Sequence, residues 1–333
     1  HTQLARAHRD ERCDEGAGQR ALAVTRTRSA LNGPAADPRE GQTFASRSAL
    51  AKWANFVKLP HTVFALPFAI VGVVLASYRA AVTRRGVLWV VLAFTAARFA
   101  AMGFNRVVDR AIDARNPRTS AREIPSGTIS AGAAMVAVAI ASAAFVFAAS
   151  QLNALCLALS PVALGWVFFY SYTKRFTVWS HLALGLGLGI APVGGYLAIS
   201  GAWPSPWWGL VALAAAVTAW VAGFDVFYSL QDLEVDRREG LRSIPAAFGS
   251  PNAVRAARML HTLSVLLLVF AGVALSPTVG WMLGAVAVAA LLLWEHRLVR
   301  AGDLSRLDAA FFTMNGVISM VFCTIVLLER LMR

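Results

Sequence analysis

Charge is scarce in this chain. Of its 333 residues only 15% are Asp, Glu, Lys or Arg, where a water-soluble globular domain carries about a quarter. Together with 57% hydrophobic residues and a mean hydropathy of +0.58, that excludes a disordered chain, which lacks apolar surface to bury. Cysteine is scarcer still. Cys13, Cys156 and Cys323 are too few and too scattered for a disulfide scaffold, a CxxC pair or a thiolate metal cluster. Histidine is sparse, and His61 and His181 begin apolar runs with no second His or acid at ligand spacing. Both read as interface residues. No Ser-His-Asp or Cys-His arrangement is evident, and no GxGxxG follows a strand. The glycines of Leu184–Gly189 sit inside an apolar run, where small residues let membrane helices approach closely. Acids are outnumbered by bases, 18 to 31, for a net charge of +13. In a soluble protein that would suggest nucleic acid as partner. In a chain this apolar the cytoplasmic Lys/Arg excess of membrane proteins accounts for it, and no nucleic-acid partner is expected.

Long apolar runs are abundant. A bilayer core of roughly 30 Å needs about 20 residues of helix. Nine runs qualify, with loose edges: 61–78, 87–104, 131–150, 154–171, 180–199, 207–228, 259–276, 280–296 and 309–328. The expected fold is an all-α integral membrane protein, a bundle of nine transmembrane helices around a cytoplasm-facing cavity. Residues 1–45 are polar, rich in Arg and Ala, and lack the apolar core of a secretory signal. They read as a disordered tail before a membrane domain spanning 46–333. The first methionine, Met102, lies well inside the apolar body, so the native start is expected elsewhere or is non-standard. With the N-terminus inside, the inner segments hold 25 of the Lys and Arg residues and the outer segments 5. This predicts a cytoplasmic N-terminus and an outer C-terminus, in a bacterial inner membrane.

The acids are concentrated. Beyond the tail there are twelve, and eight fall in two inner patches. The first patch spaces Asn105, Asp109 and Asp113 at i, i+4, which stacks them on one helix face. The second contains Asp225, Tyr228, Asp232 and Asp236, with Asp232 and Asp236 again at i, i+4. Stacked like charges destabilise a helix, and an Asp within a membrane helix costs roughly 2.5–3.5 kcal/mol on insertion scales. Something positive must lie between them. Hard divalent cations suit oxygen ligands, and Mg²⁺ typically takes one or two carboxylates plus substrate phosphates. Arg118, Arg122, Lys174, Arg237 and Arg242 map to the same inner loops. Metal and cations together suit a diphosphate. Tyr170 and Lys174 share a helix face at the inner end of the fourth run. The patches also look related. Each DxxxD is followed by a short loop and R-x-I-P, Arg122–Pro125 and Arg242–Pro245, as two half-sites facing each other would be.

Taken in order, Asn105/Asp109/Asp113, Tyr170/Lys174 and Asp225/Tyr228/Asp232/Asp236 resemble the motifs of the UbiA family of intramembrane aromatic prenyltransferases. The resemblance covers roughly residues 50–330. It departs at Arg106, where many members carry a first Asp. The strings around both acid patches look like the 4-hydroxybenzoate polyprenyltransferase branch and its relatives in menaquinone synthesis. The resemblance implies a polyprenyl diphosphate clamped by two Mg²⁺ between the Asp pairs. Asn105, Asp109, Asp113, Asp232 and Asp236 would be the ligands, with Lys174 catalytic beside the four aspartates. Asn105, Arg118, Arg122, Tyr170, Asp225, Tyr228 and Arg242 would bind substrate. Prenyl transfer to an aromatic acceptor, most readily 4-hydroxybenzoate in quinone biosynthesis, would follow, with no obligate protein partner. Other readings stay open at this point: the same machinery with a menaquinone- or futalosine-route acceptor, a cation transporter using the same carboxylates, or a membrane scaffold. The last leaves both DxxxD patches unexplained.

Overall fold

A computed structural model describes residues 48–58, 62–275, 278–298 and 314–333. The 1–45 tail, His61, most of the 297–308 loop and the start of the last apolar run lie outside them. The described residues are helical, with no strand among them. In chain order they form α1 (Ala49–Phe56), α2 (Thr62–Ser77), α3 (Arg84–Arg115), α4 (Ala131–Leu152), α5 (Ala154–Thr173), α6 (Ser180–Ser200) and α7 (Trp207–Ser229). A 3₁₀ turn (Leu230–Asp232), α8 (Leu233–Arg238), α9 (Ile244–Phe248), α10 (Ser250–Leu275), α11 (Val279–Leu298) and α12 (Asn315–Met332) follow. Eight helical stretches among the described residues are long and apolar enough to cross a membrane, and a shorter apolar helix spans Ala65–Ser77.

Local chemistry sets the helix starts. The Thr83 and Ser130 hydroxyls accept from the N–H of Gly86 and Ala133, satisfying donors that a first helical turn leaves free. Asn153 does this at the α4–α5 corner, accepting from Cys156 N–H at 2.9 Å. Its amide also donates to Leu197 O at 2.9 Å, which ties the corner to α6. Gly201 ends α6 in the left-handed region, φ 67°, where glycine is unstrained.

Packing is close where glycines meet backbone. A Cβ on Gly195 of α6 would lie 2.0 Å from Ala69 O of α2, and one on Gly72 2.1 Å from Pro192 O. Backbones approach here without intervening side chains, as small residues permit between membrane helices. The Leu184–Gly189 run behaves as its composition suggests. Gly185 and Gly189 abut the α7 backbone, and Gly187 opens onto a cavity. Helix α7 is buried along most of its length; Leu213, Val217, Trp220 and Val221 anchor the core. The surrounding helices expose large apolar side chains such as Val136, Ile140, Val162, Leu266 and Val286, a surface suited to lipid rather than water.

Two boundaries differ from the sequence reading. The second run continues as helix to Arg115, so the first acid stripe rides on unbroken α-helix. The second stripe does not. The chain tightens into the 3₁₀ turn at Leu230–Asp232 before α8, so Asp232 and Asp236 do not share one straight α-helix. A 3₁₀ stretch between helices changes the direction in which side chains project.

Candidate active site

Helices α3, α5, α6 and α7, with the loops after α3 and α8, enclose a cavity of about 300 Å³ at one end of the bundle. Asn105, Asp109, Asp113, Arg118, Arg122, Tyr170, Lys174, Asp225, Tyr228, Asp232 and Asp236 all line it. Residues more than a hundred positions apart in sequence therefore meet in one chamber. Arg242 does not line it. That side chain is exposed and donates to Phe176 O at 2.9 Å, while its backbone N–H bonds Lys174 O at 2.7 Å. It braces the turn after α5 against the loop before α9. The R-x-I-P repeat is thus not two equivalent half-sites, since Arg122 instead reaches into the chamber and bonds Asp113 at 2.8 Å.

The carboxylates are held by cations. Asp109 accepts from Lys174 Nζ at 2.5 Å and from Arg175 Nη2 at 3.0 Å, and Asn105 Nδ2 donates to it at 3.1 Å. Asp232 accepts from both Nε and Nη2 of Arg118 and from Asn116 Nδ2 at 2.8 Å. Arg118 also donates to the Tyr228 hydroxyl at 2.8 Å. A planar guanidinium suits this bidentate grip, which ties the loop after α3 to the second acid patch. Asp236 and Ser243 line the same chamber. Asp225 faces His181: Nδ1 and Oδ2 are 2.7 Å apart.

Five residues escaped the sequence reading: His181, Asn116, Lys58 and Arg98, which line the chamber, and Arg175, which bonds Asp109. His181 had no local partner; Asp225 lies 44 positions away. Arg175 follows Lys174 directly, and that basic doublet was a usable signal. Asn116 and Lys58 gave none; Lys58 is buried, its ammonium 5.6 Å from the centre of the Tyr228 ring. Arg98, two turns above Asn105 on α3, lines the chamber's deep end with its Nε buried. The departure at Arg106 has a partner: its guanidinium lies 3.8 Å from Glu123, which does not line the chamber. Glu239 is also off the chamber. Its hydrogen bond from Arg115, 2.7 Å, ties α3 to the end of α8 and holds its carboxyl below the ordinary range.

A second cavity, about 220 Å³ and almost wholly apolar, lies between α3, α4, α5 and α6. It shares Arg98, Met102, Tyr170, Leu184 and Leu188 with the polar chamber. The polar end therefore opens directly into an apolar one, an arrangement for a ligand with an anionic head and a hydrocarbon tail.

Among the described residues no three His, Cys, Asp or Glu side chains gather into a dedicated metal cage. Mg²⁺ does not require one, since it typically combines one or two carboxylates with substrate phosphates and water. The donors lining the chamber are hard oxygens in two groups, and they fit that mode of binding.

An apolar helical bundle with paired acidic and basic groups in a chamber at one end marks an integral membrane protein. A family model described as the UbiA prenyltransferase family matches residues 65–317, and the chain belongs to that family. It is similar to the 4-hydroxybenzoate octaprenyltransferases of Sodalis glossinidius, 31% identical across 69% of this chain and 78% of the relative, and of Aeromonas hydrophila, 29% identical across 72% and 84%. Among solved structures it resembles a UbiA homolog from Aeropyrum pernix K1, with TM-score 0.74, 31% identity, and coverage of 81% of this chain and 98% of that one. It shares its fold with a UbiA homolog from Archaeoglobus fulgidus bound to DMAPP and Mg²⁺, at TM-score 0.68, 19% identity, and coverage of 83% and 98%.

Proposed function

We propose that this protein transfers a polyprenyl group from a polyprenyl diphosphate to an aromatic acceptor, 4-hydroxybenzoate, in quinone biosynthesis. One observation carries the reading: the charged chamber and the apolar cavity share five residues, so head and tail of a prenyl diphosphate have adjoining compartments. The names of the bacterial relatives support the acceptor. Family membership sets aside the cation-transporter and scaffold readings.

The domain responsible is residues 46–333, with the chamber facing the cytoplasm of a bacterial inner membrane, a reading supported by the Lys/Arg excess of the loops on that side. Asn105, Asp109, Asp113, Asp232 and Asp236 would hold Mg²⁺, which supplies charge stabilisation to the departing diphosphate. Lys174, Arg118 and Arg122 carry positive charge to the same place. When substrate enters, these cations turn from the carboxylates toward phosphate oxygens, an exchange of one charge-assisted hydrogen bond for another. Preorganised cations at developing negative charge lower the barrier without reorganisation during reaction. Tyr170 and Tyr228 line the chamber, and Leu184 and Leu188 line both cavities, where a tail would pass from one to the other.

The test is pyrophosphate release and prenylated product from purified protein given Mg²⁺, a polyprenyl diphosphate and either 4-hydroxybenzoate, a naphthoate or a futalosine-derived acceptor. Preference for 4-hydroxybenzoate is expected. Product only with another acceptor overturns the acceptor assignment, and no product with any overturns the activity.

A further inference from the structure

Prenyl transfer to a ring carbon leaves a proton to be removed. The C1–O bond breaks and its electron pair leaves on the diphosphate. C1 bonds to the ring carbon. The ring C–H bond must then break, returning its electron pair to the ring. The carboxylates gripped by cations are poor candidates to take this proton, because their oxygens are already occupied by those donors. Asp109, Asp113 and Asp232 are all in that position, and Asp236 is among the residues proposed to hold Mg²⁺.

Asp225 differs in partner and depth. It precedes Asp232 by seven residues and lies within α7, before the 3₁₀ turn that carries Asp232. It shares the deep wall of the chamber with Val221, Phe224 and Leu184. Its hydrogen-bond partner is His181, whose Nε2 lies 3.2 Å from the backbone N–H of Ile244. That N–H can only donate, so Nε2 is the acceptor and Nδ1 carries the imidazole proton. His181 therefore donates to Asp225 Oδ2 as a neutral group, orienting the carboxylate without adding charge. Leu184 and Leu188 follow His181 on the same face of α6 and line both cavities. The pair thus stands where the polar chamber turns apolar, the level at which the first carbon beyond a diphosphate must lie.

We propose that Asp225 is the base that removes the ring proton, and that His181 is the positioning residue that orients it. This rests on the prenyl-transfer reading, which the wild type tests first. The experiment uses the full chain in detergent with Mg²⁺, a polyprenyl diphosphate, and 4-hydroxybenzoate carrying hydrogen or deuterium on the ring carbons flanking its hydroxyl. In the wild type the two acceptors should react at nearly equal rates. Asp225→Asn should form prenylated product about 10²-fold or more slowly, within the usual range for loss of a general base. It should show a deuterium isotope effect and divert allylic cation to the prenyl alcohol. Formate should restore product formation to Asp225→Ala. His181→Asn keeps an N–H donor toward Asp225 and should lose less rate than His181→Phe, with an isotope effect visible in the latter.

If the wild type releases no pyrophosphate, the prenyl-transfer reading fails and this inference fails with it. If the wild type is active while Asp225→Asn and His181→Phe show neither slowing nor an isotope effect, the diphosphate takes the proton and only the base assignment falls. If Asp225→Asn stops pyrophosphate release as completely as Asp109→Asn and formate restores nothing, Asp225 belongs to the diphosphate site and the proposal is overturned. His181→Phe leaves the carboxylate in place and decides the matter if Asp225→Ala does not fold.

Discussion

Asp232→Asn separates a catalytic role for the acid patch from a structural one. The substitution keeps size and one acceptor oxygen but removes the charge that receives Arg118. Hydrogen bonds to charged groups contribute about 1.5–3 kcal/mol each, and breaking a buried pair costs about 3–5 kcal/mol. Here both side chains are 20% exposed to the chamber, and Arg118 keeps its bond to Tyr228. Solvent screening therefore reduces the folding cost to about 1–2 kcal/mol. In a chain of this size that lowers Tm by only a few degrees. Loss of an oxygen ligand and of charge aimed at the diphosphate should cost ~10²–10³-fold in rate, by comparison with other preorganised electrostatic contacts. The assay is pyrophosphate release in detergent, beside thermal unfolding of the same preparation. EDTA should abolish wild-type turnover and Mg²⁺ restore it. The control is Glu234→Gln, since Glu234 is 88% exposed and its nearest cation, Arg237, is 4.0 Å away. Glu239, off the acid stripe in sequence, is a poorer control because it ties α3 to α8 through Arg115. Near-normal, EDTA-resistant turnover in Asp232→Asn would refute the reasoning and leave the carboxylates as a charged cap.

Four further outcomes are expected. Cysteine-accessibility or glycosylation mapping should place loops 105–130 and 229–258 on one side, the cytoplasmic one; labelling from opposite sides would break the shared chamber. Deleting residues 1–45, which hold none of the motif residues, should leave membrane activity within about twofold, and complete loss in correctly inserted protein would contradict this. Gly195→Val should destabilise the bundle by at least the ~1–3 kcal/mol typical of overpacking, because a Cβ there would lie 2.0 Å from Ala69 O; a wild-type Tm would show that α2 and α6 do not pack this closely. Acidification should release the Arg115–Glu239 tie. Its carboxyl is held below the ordinary value of 4.5, so the tie contributes fully above that pH and is lost as pH falls through the lower, folded value. The difference in Tm between wild type and Glu239→Gln should therefore persist at neutral pH and vanish in acid.

The sequence by itself determined the membrane class, because hydrophobic length is a local property that no tertiary contact can reverse. It also placed the acids, since i, i+4 spacing puts Asn105, Asp109 and Asp113 on one face of any unbroken helix, and α3 continues unbroken through them. What tertiary structure alone decided was pairing across the bundle. Arg118 and Arg242 look alike in sequence, each a loop arginine near a DxxxD, yet one grips Asp232 while the other braces Phe176 O outside the chamber. His181 carried no signal, because its partners Asp225 and Ile244 come from other segments. The 3₁₀ turn that redirects Asp232 was equally hidden, since no Gly or Pro marks Leu230–Asp232. The adjoining of the charged and apolar cavities also required the fold. Helix period sets which residues share a face, but which faces meet depends on backbone approach at contacts such as Gly195 on Ala69 and Gly72 on Pro192.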